Sequence, residues 1–493
     1  MTAPAARDRR PGGGLTRWPT AVRNLSPAFA LFLPTMSSNF ARPGRSRRRL
    51  FQSGGLAFLA VSAHAASFYV APTGADTNAG SIAAPFATVQ RAQQAAAPGD
   101  TIYLRGGTYA MTEAQIAHRE GIYSCVTFLD KSGTPGHRIS YEAYPGERPI
   151  FDFSQVKPKG QRVAAFRVAG SWLHLKGFEV VGVQVTILTH TQSICFDNQG
   201  SDNLYEQLSA HDGKAIGFWI GRGSNNLVLN CDAFRNYDDV SENRRGGNVD
   251  GFGHHVPKGS AHNVFRGCRA WFNSDDGYDF INSAEAATVE NCWAFYNGYS
   301  TAFESLGDGN GFKAGGYGAT PASRLPEPIP RHVVVGCVAV RNKVNGFYAN
   351  HHVGGVDFLN NTALRNNTNF NLLGRELDNR TDIPGRGHRL KNNLGLEART
   401  AEVAQLDAQA CDATNNYFDL PVKITAADFM GLDEADLVKP RQPNGDLPDV
   451  PLLHLAPGSA AIDRGVDLGR PFAGAAPDLG AFEFGAAKPA AGK

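Results

Sequence analysis

The sequence predicts an all-β protein built as a parallel β-helix, a solenoid of short stacked strands, with a short helix capping its N-terminal end. Two observations predict this class. The chain has 55 glycines and only 19% charged residues, which is typical of a turn-rich β architecture. A short motif also recurs with a base period of about 24 residues, and short alternating strands at such a period indicate a parallel β-helix.

The recurring motif is Cys-x-Ala-x-x-Asn, with a fifth copy in which Asn replaces Cys. The copies start at Cys231, Cys268, Cys292, Cys337 and Asn361, and the two longer spacings indicate inserted loops. Equivalent positions of successive coils lie above one another. We therefore expect the cysteines to stack inward as small apolar side chains rather than form disulfides or bind a metal. The asparagines should form a hydrogen-bonded ladder.

The N-terminal part, residues 1–65, is predicted to be an extension and an export signal. Three arginines at 47–49 precede an apolar run, Gly55 to Ala63, and the small-residue site Ala63-His64-Ala65. This is the order of a secretory signal, and the arginine pair before Phe51 also resembles a twin-arginine signal. The initiator is Met1 or Met36. We expect a secreted or periplasmic protein.

The remainder, residues 66–493, is predicted to be a single β-helix domain. Its N-terminal cap spans about 68–110 and includes a strand at Ser67–Val70 and apolar residues at helical spacing within 84–97. A helix there would cover the open apolar end of the solenoid. A closing segment at about 400–485 is expected to pack along or over the last coil.

A second phrase carries the candidate chemistry. It reads Asp250-Gly-Phe, then Asp276-Gly-Tyr-Asp279, then Asn310-Gly-Phe-Lys313, and a fourth copy at 345–348 has no acid or base. If these copies share one repeat position, Asp250, Asp276, Asp279 and Lys313 converge, and Asp275 adds a carboxylate. Asp-Gly pairs also favour tight turns, and Gly277 is expected to mark a turn or bulge. Four carboxylates in register instead favour a calcium site beside a lysine base.

Three motifs resemble polysaccharide lyase family 9, whose members include pectate lyases: Asp250-Gly-Phe, the stretch 273–279 and the stretch 309–313. The stretch 98–109 is also similar, and the resemblance covers roughly 68–367. It implies a right-handed parallel β-helix. It also implies that Asp250, Asp275, Asp276 and Asp279 bind calcium and that Lys313 is the catalytic base.

The resemblance implies β-elimination on a uronic acid polymer, pectate (polygalacturonate) or a related one such as rhamnogalacturonan. Neutral Lys313 would remove the C5 proton, so an alkaline pH optimum is expected. The segment Gly253–Lys258 differs from the family pattern, and substrate-binding residues are left unassigned. The expected partner is an anionic polysaccharide. A net charge of +2 argues against nucleic acid, no membrane partner is expected, and a monomer is expected.

Two other functions stay open on the residues alone. A β-helix glycoside hydrolase could use Asp275 and Asp276 as acid and base; it would need no calcium, and its products would be saturated. A non-catalytic adhesion solenoid could use calcium only for stability, and replacing Lys313 would then change nothing.

Overall fold

The structure is a computed structural model of the chain and describes residues 65–485. The predicted export signal and both candidate initiators lie outside the described residues, except for Ala65 at its end. Within the described part no helix has the length and apolar character needed to cross a membrane.

Most described strands belong to three long sheets. The first sheet has 12 strands, all parallel: Ser67–Val70, Thr101–Leu104, Ile139–Ala143, Leu173–Lys176, Leu204–Glu206, Leu227–Leu229, Asn263–Arg266, Ala287–Glu290, Val333–Val335, Asp357–Leu359, Arg389–Lys391 and Asp412–Thr414. The second has 10 strands: Gly107–Ala110, Pro149–Asp152, Glu179–Val181, Ser209–His211, Asp232–Phe234, Arg269–Trp271, Trp293–Phe295, Val338–Val340, Thr362–Leu364 and Leu394–Leu396.

The third sheet has 11 strands: His118–Glu120, Tyr123–Leu129, Arg162–Val168, Ile194–Asn198, Ile216–Ile220, Phe252–His254, Tyr278–Asp279, Phe312–Lys313, Asn345–Tyr348, Thr368–Asn371 and Ala401–Ala404. All of its pairs are parallel except the first, which is antiparallel. Each successive coil adds one strand to each sheet, and this is the predicted parallel β-helix.

Two bends in each repeat coil depend on residues in the left-handed backbone region. One bend has Asn or Gly immediately before the Cys position, as at Asn230, Gly267 and Asn291; these residues adopt positive φ at little cost. The other bend has a left-handed residue immediately before the ladder asparagine, with φ between 49° and 59° at Arg235, Phe272, Tyr296, Arg341 and Arg365. These sharp bends set the stacked residues that follow them in register.

The predicted asparagine ladder is present and fully buried. Asn273 Nδ2 donates to Asn297 Oδ1 at 3.2 Å, and Asn297 Nδ2 donates to Asn342 Oδ1 at 3.0 Å. Asn297 Nδ2 also donates to Ala270 O at 3.0 Å, and the backbone N–H of Asn273 donates to Asn297 Oδ1 at 3.3 Å. Each side-chain amide therefore hydrogen-bonds to groups on the coils on both sides of it.

The cysteines also lie as predicted. All seven are free thiols, and all but Cys411 are buried. In the stack, the backbone N–H of Cys268 contacts Cys292 Sγ at 3.3 Å, and that of Cys292 contacts Cys337 Sγ at 3.4 Å. Where Asn361 replaces cysteine, its Oδ1 accepts from Cys337 N at 2.9 Å. The thiols thus fill the bend and act as weak acceptors.

An aromatic ladder forms the core behind the third sheet. The rings of Phe252, Tyr278, Phe312 and Phe347 stack with centroids 4.7–5.0 Å apart, which is the spacing of paired strands. These are the aromatic residues of the second repeated phrase. Because they point inward, the residue that follows each of them points outward.

The predicted capping helix spans Val89–Ala95, with Thr88 as its N-cap. Val89 and Ala92 are buried against the core, and Gln90 and Gln93 donate to Phe128 O at 3.0 Å. The remaining helical turns are short 3₁₀ segments: Glu113–Gln115, Ala322–Arg324, Ala426–Asp428 and Glu434–Val438. A two-stranded ribbon pairs Gly374–Arg375 with Asp382–Ile383.

The closing segment contacts earlier coils as well as the last ones. It reaches the last coils, where Gly480 N donates to Asn392 O, but it also runs back along the outer face of the second sheet. There Arg441 pairs with Asp232 at 2.6 Å, and Leu437 packs in a cluster with Trp271. Burial raises the pKa of Asp232, but Arg441 and Arg269 outweigh it and lower that pKa to about 2.

Candidate active site

The outward positions of the third sheet bring the candidate residues together. Strand pairing places Asp279 beside Lys313, and Lys313 beside Tyr348 on the next coil. On the other side, Gly253 pairs with Asp279. Asp279 and Lys313 therefore occupy the same repeat position on neighbouring coils, as the repeated phrase predicted.

Three carboxylates converge on the lysine. Asp250, Asp276 and Asp279 each offer an oxygen, and these atoms lie within 4.8 Å of one another. Lys313 Nζ lies 3.0 Å from Asp276 Oδ2 and 3.1 Å from Asp279 Oδ2. All four side chains are buried, and Asp276 has no solvent exposure.

Backbone and amide donors fix these carboxylates. Asp276 N donates to Asp250 Oδ1 at 3.2 Å, and Ile281 N donates to Asp279 Oδ1 at 2.8 Å. Asn310 donates twice to Asp276 Oδ1, from its backbone N at 2.6 Å and from Nδ2 at 2.7 Å. Asp276 Oδ2 accepts no hydrogen bond, but it forms an ion pair with the Lys313 ammonium.

Asp275 lies apart from this group. Its Oδ1 accepts from Asp308 N at 2.8 Å. Among residues 65–485, the group of carboxylate oxygens within 4.8 Å of one another includes Asp250, Asp276 and Asp279 but not Asp275. Asp308 belongs to the inserted loop 301–310, whose Gly307 N donates to Ser274 O at 2.8 Å. The loop therefore lies beside the carboxylates and engages the fourth one.

The electrostatics show a site with excess negative charge. Burial, reinforced by neighbouring carboxylates, raises the pKa of Asp250 and Asp275 well above the usual value. Burial also raises the pKa of Asp276. Burial lowers the pKa of Lys313, but Asp276 and Asp279 outweigh it and hold that pKa well above its usual value. Lys313 is therefore an ammonium as long as these carboxylates keep their charge.

The glycine of the repeated phrase has a steric role. Gly277 lies in a bend, as expected, before the strand that carries Asp279. A Cβ on Gly277 would lie 2.7 Å from Gly311 O and 3.0 Å from Ala294 Cβ. Only glycine allows the carboxylate strand to approach the neighbouring coil and the second sheet this closely.

The donor set fits a hard divalent cation such as calcium. Carboxylate oxygens are the ligands that calcium prefers. Burying several carboxylates against one ammonium is unfavourable unless further positive charge is supplied. Asp276 Oδ2, which accepts no hydrogen bond and is engaged by the Lys313 ion pair, is one oxygen that such a cation could bind.

Some residues on this face were not predicted from the sequence. Trp219 lies over Gly253, where a Cβ would be 2.7 Å from the indole, and it packs on His255 with centroids 4.1 Å apart. Tyr348 follows Lys313 in the ladder. His254, by contrast, is buried and bonds Ser283 Oγ at 2.8 Å. Gly253 was the available signal for Trp219, because it breaks the outward ladder of side chains.

Comparison with known proteins decides the family. The family described as "Pel9A-like, right handed beta helix region" matches residues 68–393. The chain belongs to this family. The right-handed β-helix predicted for it is thereby confirmed.

The Pel9A-like chain is also similar to individual proteins. It is 35% identical to pectate lyase L of Dickeya chrysanthemi, over 84% of this chain and 90% of the relative. A solved structure of a rhamnogalacturonan lyase is 46% identical, with a TM-score of 0.76, over 79% of this chain and 96% of that one. The crystal structure of pectate lyase Pel9A is 33% identical, with a TM-score of 0.70, over 85% and 96%. The predicted enzyme class, a polysaccharide lyase, is therefore confirmed.

Proposed function

We propose that this chain is a calcium-dependent lyase that cleaves pectate, or a related uronic acid polymer, by β-elimination. The observation that carries the proposal is the convergence of three buried carboxylates within 4.8 Å on a lysine whose Nζ is 3.0 and 3.1 Å from two of them. A hydrolase site needs two carboxyl groups flanking a water, and it gives this lysine no task.

Asp250, Asp276 and Asp279 would hold the calcium, with Asp275 as a fourth ligand once its side chain turns from the Asp308 amide. Bound calcium supplies positive charge that neutralises these carboxylates and polarises the uronate carboxylate of the substrate. Neutralised carboxylates no longer stabilise the Lys313 ammonium. The pKa of Lys313 then falls, because its burial disfavours the charged form.

Lys313 would act as the base in its neutral form. Its Nζ accepts the proton from C5 of the uronate, and the C5–H electron pair forms the double bond between C4 and C5. The C4–O bond to the leaving sugar breaks, and the leaving oxygen takes a proton from solvent. Activity should rise toward alkaline pH because only the unprotonated amine accepts the proton.

The polymer is proposed from the relatives, whose names include pectate lyase and rhamnogalacturonan lyase. Both polymers contain uronate residues, so the same elimination would apply to either. We further propose that residues 66–493 form one catalytic domain, that it acts as a monomer, and that residues 1–65 direct its export.

The test follows the ultraviolet absorbance of the unsaturated product on polygalacturonate and, in parallel, on rhamnogalacturonan. We expect a rise with calcium that excess chelator abolishes. Lys313→Ala should lower the rate by about a hundred- to ten-thousand-fold, the usual contribution of a general base. Lys313→Arg keeps the positive charge but cannot be deprotonated, so it should be equally inactive while folding normally.

Lys423, an exposed lysine of the closing segment, provides the matched control, and Lys423→Ala should leave the rate unchanged. New saturated reducing ends without the absorbance rise would show that the chain is a hydrolase rather than a lyase. Full activity of both Lys313 variants would remove Lys313 from the chemistry.

A further inference from the structure

A cavity of about 600 Å³ opens beside the candidate active site. Its lining includes Ile281, Gly318, His351, Asn379 and Arg380. These residues come from separate parts of the chain: the turn after the Asp279 strand, the long inserted loop, the turn after Tyr348 and the Gly374–Ile383 ribbon. The volume is within the range of small-ligand pockets.

The cavity lies close to the carboxylate–lysine group. Ile281 N, at one wall, donates to Asp279 Oδ1 at 2.8 Å. Tyr348 pairs with Lys313 in the sheet, and His351 follows Tyr348 by one turn, with the two rings 6.1 Å apart. A polymer bound at Lys313 and running along the stacked coils would reach this cavity within a few coil spacings of about 5 Å.

Asn379 presents an unused acceptor. Both hydrogens of its side-chain amide go to backbone carbonyls, Gly318 O at 3.3 Å and Thr320 O at 2.8 Å. A carbonyl oxygen accepts hydrogen bonds but cannot donate them, so the amide group that faces these two carbonyls is the NH2 of Asn379. The remaining atom, Oδ1, is buried and has no donor, and the residue is only 2% exposed. A buried acceptor of this kind calls for a donor such as a hydroxyl group.

The charged groups of the cavity differ in how they are engaged. Arg375 is held by Asp382 at 2.8 Å and by Gly318 O at 3.0 Å. His351 Nδ1 also contacts Asp382 Oδ1, at 2.8 Å. Arg380 is exposed, and within residues 65–485 it forms no ion pair. Its planar guanidinium is thus free for a carboxylate, the group that it pairs with best.

We propose that this cavity is a subsite for a second uronate residue of the bound polymer. The sugar carboxylate pairs with the Arg380 guanidinium, and a sugar hydroxyl donates to Asn379 Oδ1. The subsite rests on the proposed function, since it assumes that a uronate polymer is the substrate. Its role is to bind and position a sugar beyond the one that loses its proton.

The experiment measures kcat and KM on a ladder of uronate oligosaccharides, three to eight residues long, prepared from whichever of the two polymers the wild type cleaves. Arg380→Ala should raise KM about ten-fold or more for the longer oligomers and leave kcat within about two-fold. Oligomers too short to reach the cavity should be cleaved equally well by both proteins. Arg380→Lys should recover part of the loss, because it keeps the charge but not the fork.

Arg464→Ala, which removes an exposed arginine of the closing segment, is the matched control and should behave as the wild type does. The subsite is overturned if Arg380→Ala has the wild-type KM at every length, which would leave a merely hydrated cavity. It is also overturned if the KM rise is the same for short and long oligomers. A wild type that cleaves neither polymer would instead overturn the proposed function, so the two failures are distinguishable.

Discussion

Two stacks of equivalent side chains differ in whether their members can hydrogen-bond to one another. In the asparagine ladder, each amide donates to the next and accepts from the previous coil, as at Asn273, Asn297 and Asn342. In the outward stack of the third sheet, Asp250, Asp276 and Asp279 bring their oxygens within 4.8 Å of one another, and Lys313 is the cation they share.

The difference follows from the chemistry of the two groups. An amide carries both donors and an acceptor, whereas an ionised carboxylate only accepts. Stacking at the coil spacing therefore stabilises the asparagines. The stacked carboxylates repel one another unless a cation balances their charge. The same repeat geometry thus produces either a structural ladder or a ligand-binding site, depending on which side chain occupies the position.

The largest effect on stability is expected in the asparagine ladder. Asn297→Leu would remove the acceptor of the backbone N–H and of the side-chain amide of Asn273, and it would remove the side-chain donor to the carbonyl of Ala270. We expect the free energy of unfolding to fall by about 2–4 kcal/mol, since each buried unsatisfied group costs about 1–3 kcal/mol. Urea unfolding followed by circular dichroism measures it.

The same change at an exposed asparagine, Asn243→Leu, should cost less than about 0.5 kcal/mol. Equal losses for both variants would mean that the ladder contributes no more than surface asparagines do. The activity per folded molecule should be unchanged for both.

The charged stack should respond in the opposite direction. Asp250 has a pKa raised above its usual 3.8 by burial and by neighbouring carboxylates, so its ionisation weakens the fold as pH rises above about 4. Asp250→Asn, at pH 7 and without calcium, should raise the free energy of unfolding by about 1–2 kcal/mol, the scale of one relieved like-charge contact. Thermal or urea unfolding between pH 4 and pH 8 measures the gain.

The pH dependence of this stabilisation has a specific direction. The stabilisation by Asp250→Asn should be absent near pH 4 and should grow as pH rises toward the pKa of Asp250 in the folded protein. Calcium should stabilise the wild type more than the variant, because it binds the folded carboxylates. A variant less stable than the wild type at every pH would show that the carboxylate stack is not under repulsion.

The smallest effect concerns the thiols that lie beside the asparagine ladder. Because all seven cysteines are free and all but Cys411 are buried, a reductant should change the free energy of unfolding by less than about 0.5 kcal/mol. A thiol reagent should react with at most one cysteine in the native protein and with all seven in denaturant. Fewer than seven in denaturant would reveal a disulfide and break the stacked-thiol picture.

The sequence by itself determined the features that belong to the repeat. The stacked thiols, the asparagine ladder and the pairing of Asp279 with Lys313 were predicted correctly, because in a solenoid residues one period apart become neighbours in space. The capping helix was predicted separately, from apolar residues at helical spacing. The convergence of Asp250, Asp276 and Asp279 follows from the same rule.

Only the tertiary structure decided what the insertions and the closing segment do. The contact of Asp275 with the Asp308 amide, the cavity lined by Asn379 and Arg380, and the return of Arg441 to Asp232 all involve segments outside the repeat. Such segments have no period to set their register. Their positions depend on which buried donors, acceptors and charges each can satisfy once the coils are stacked.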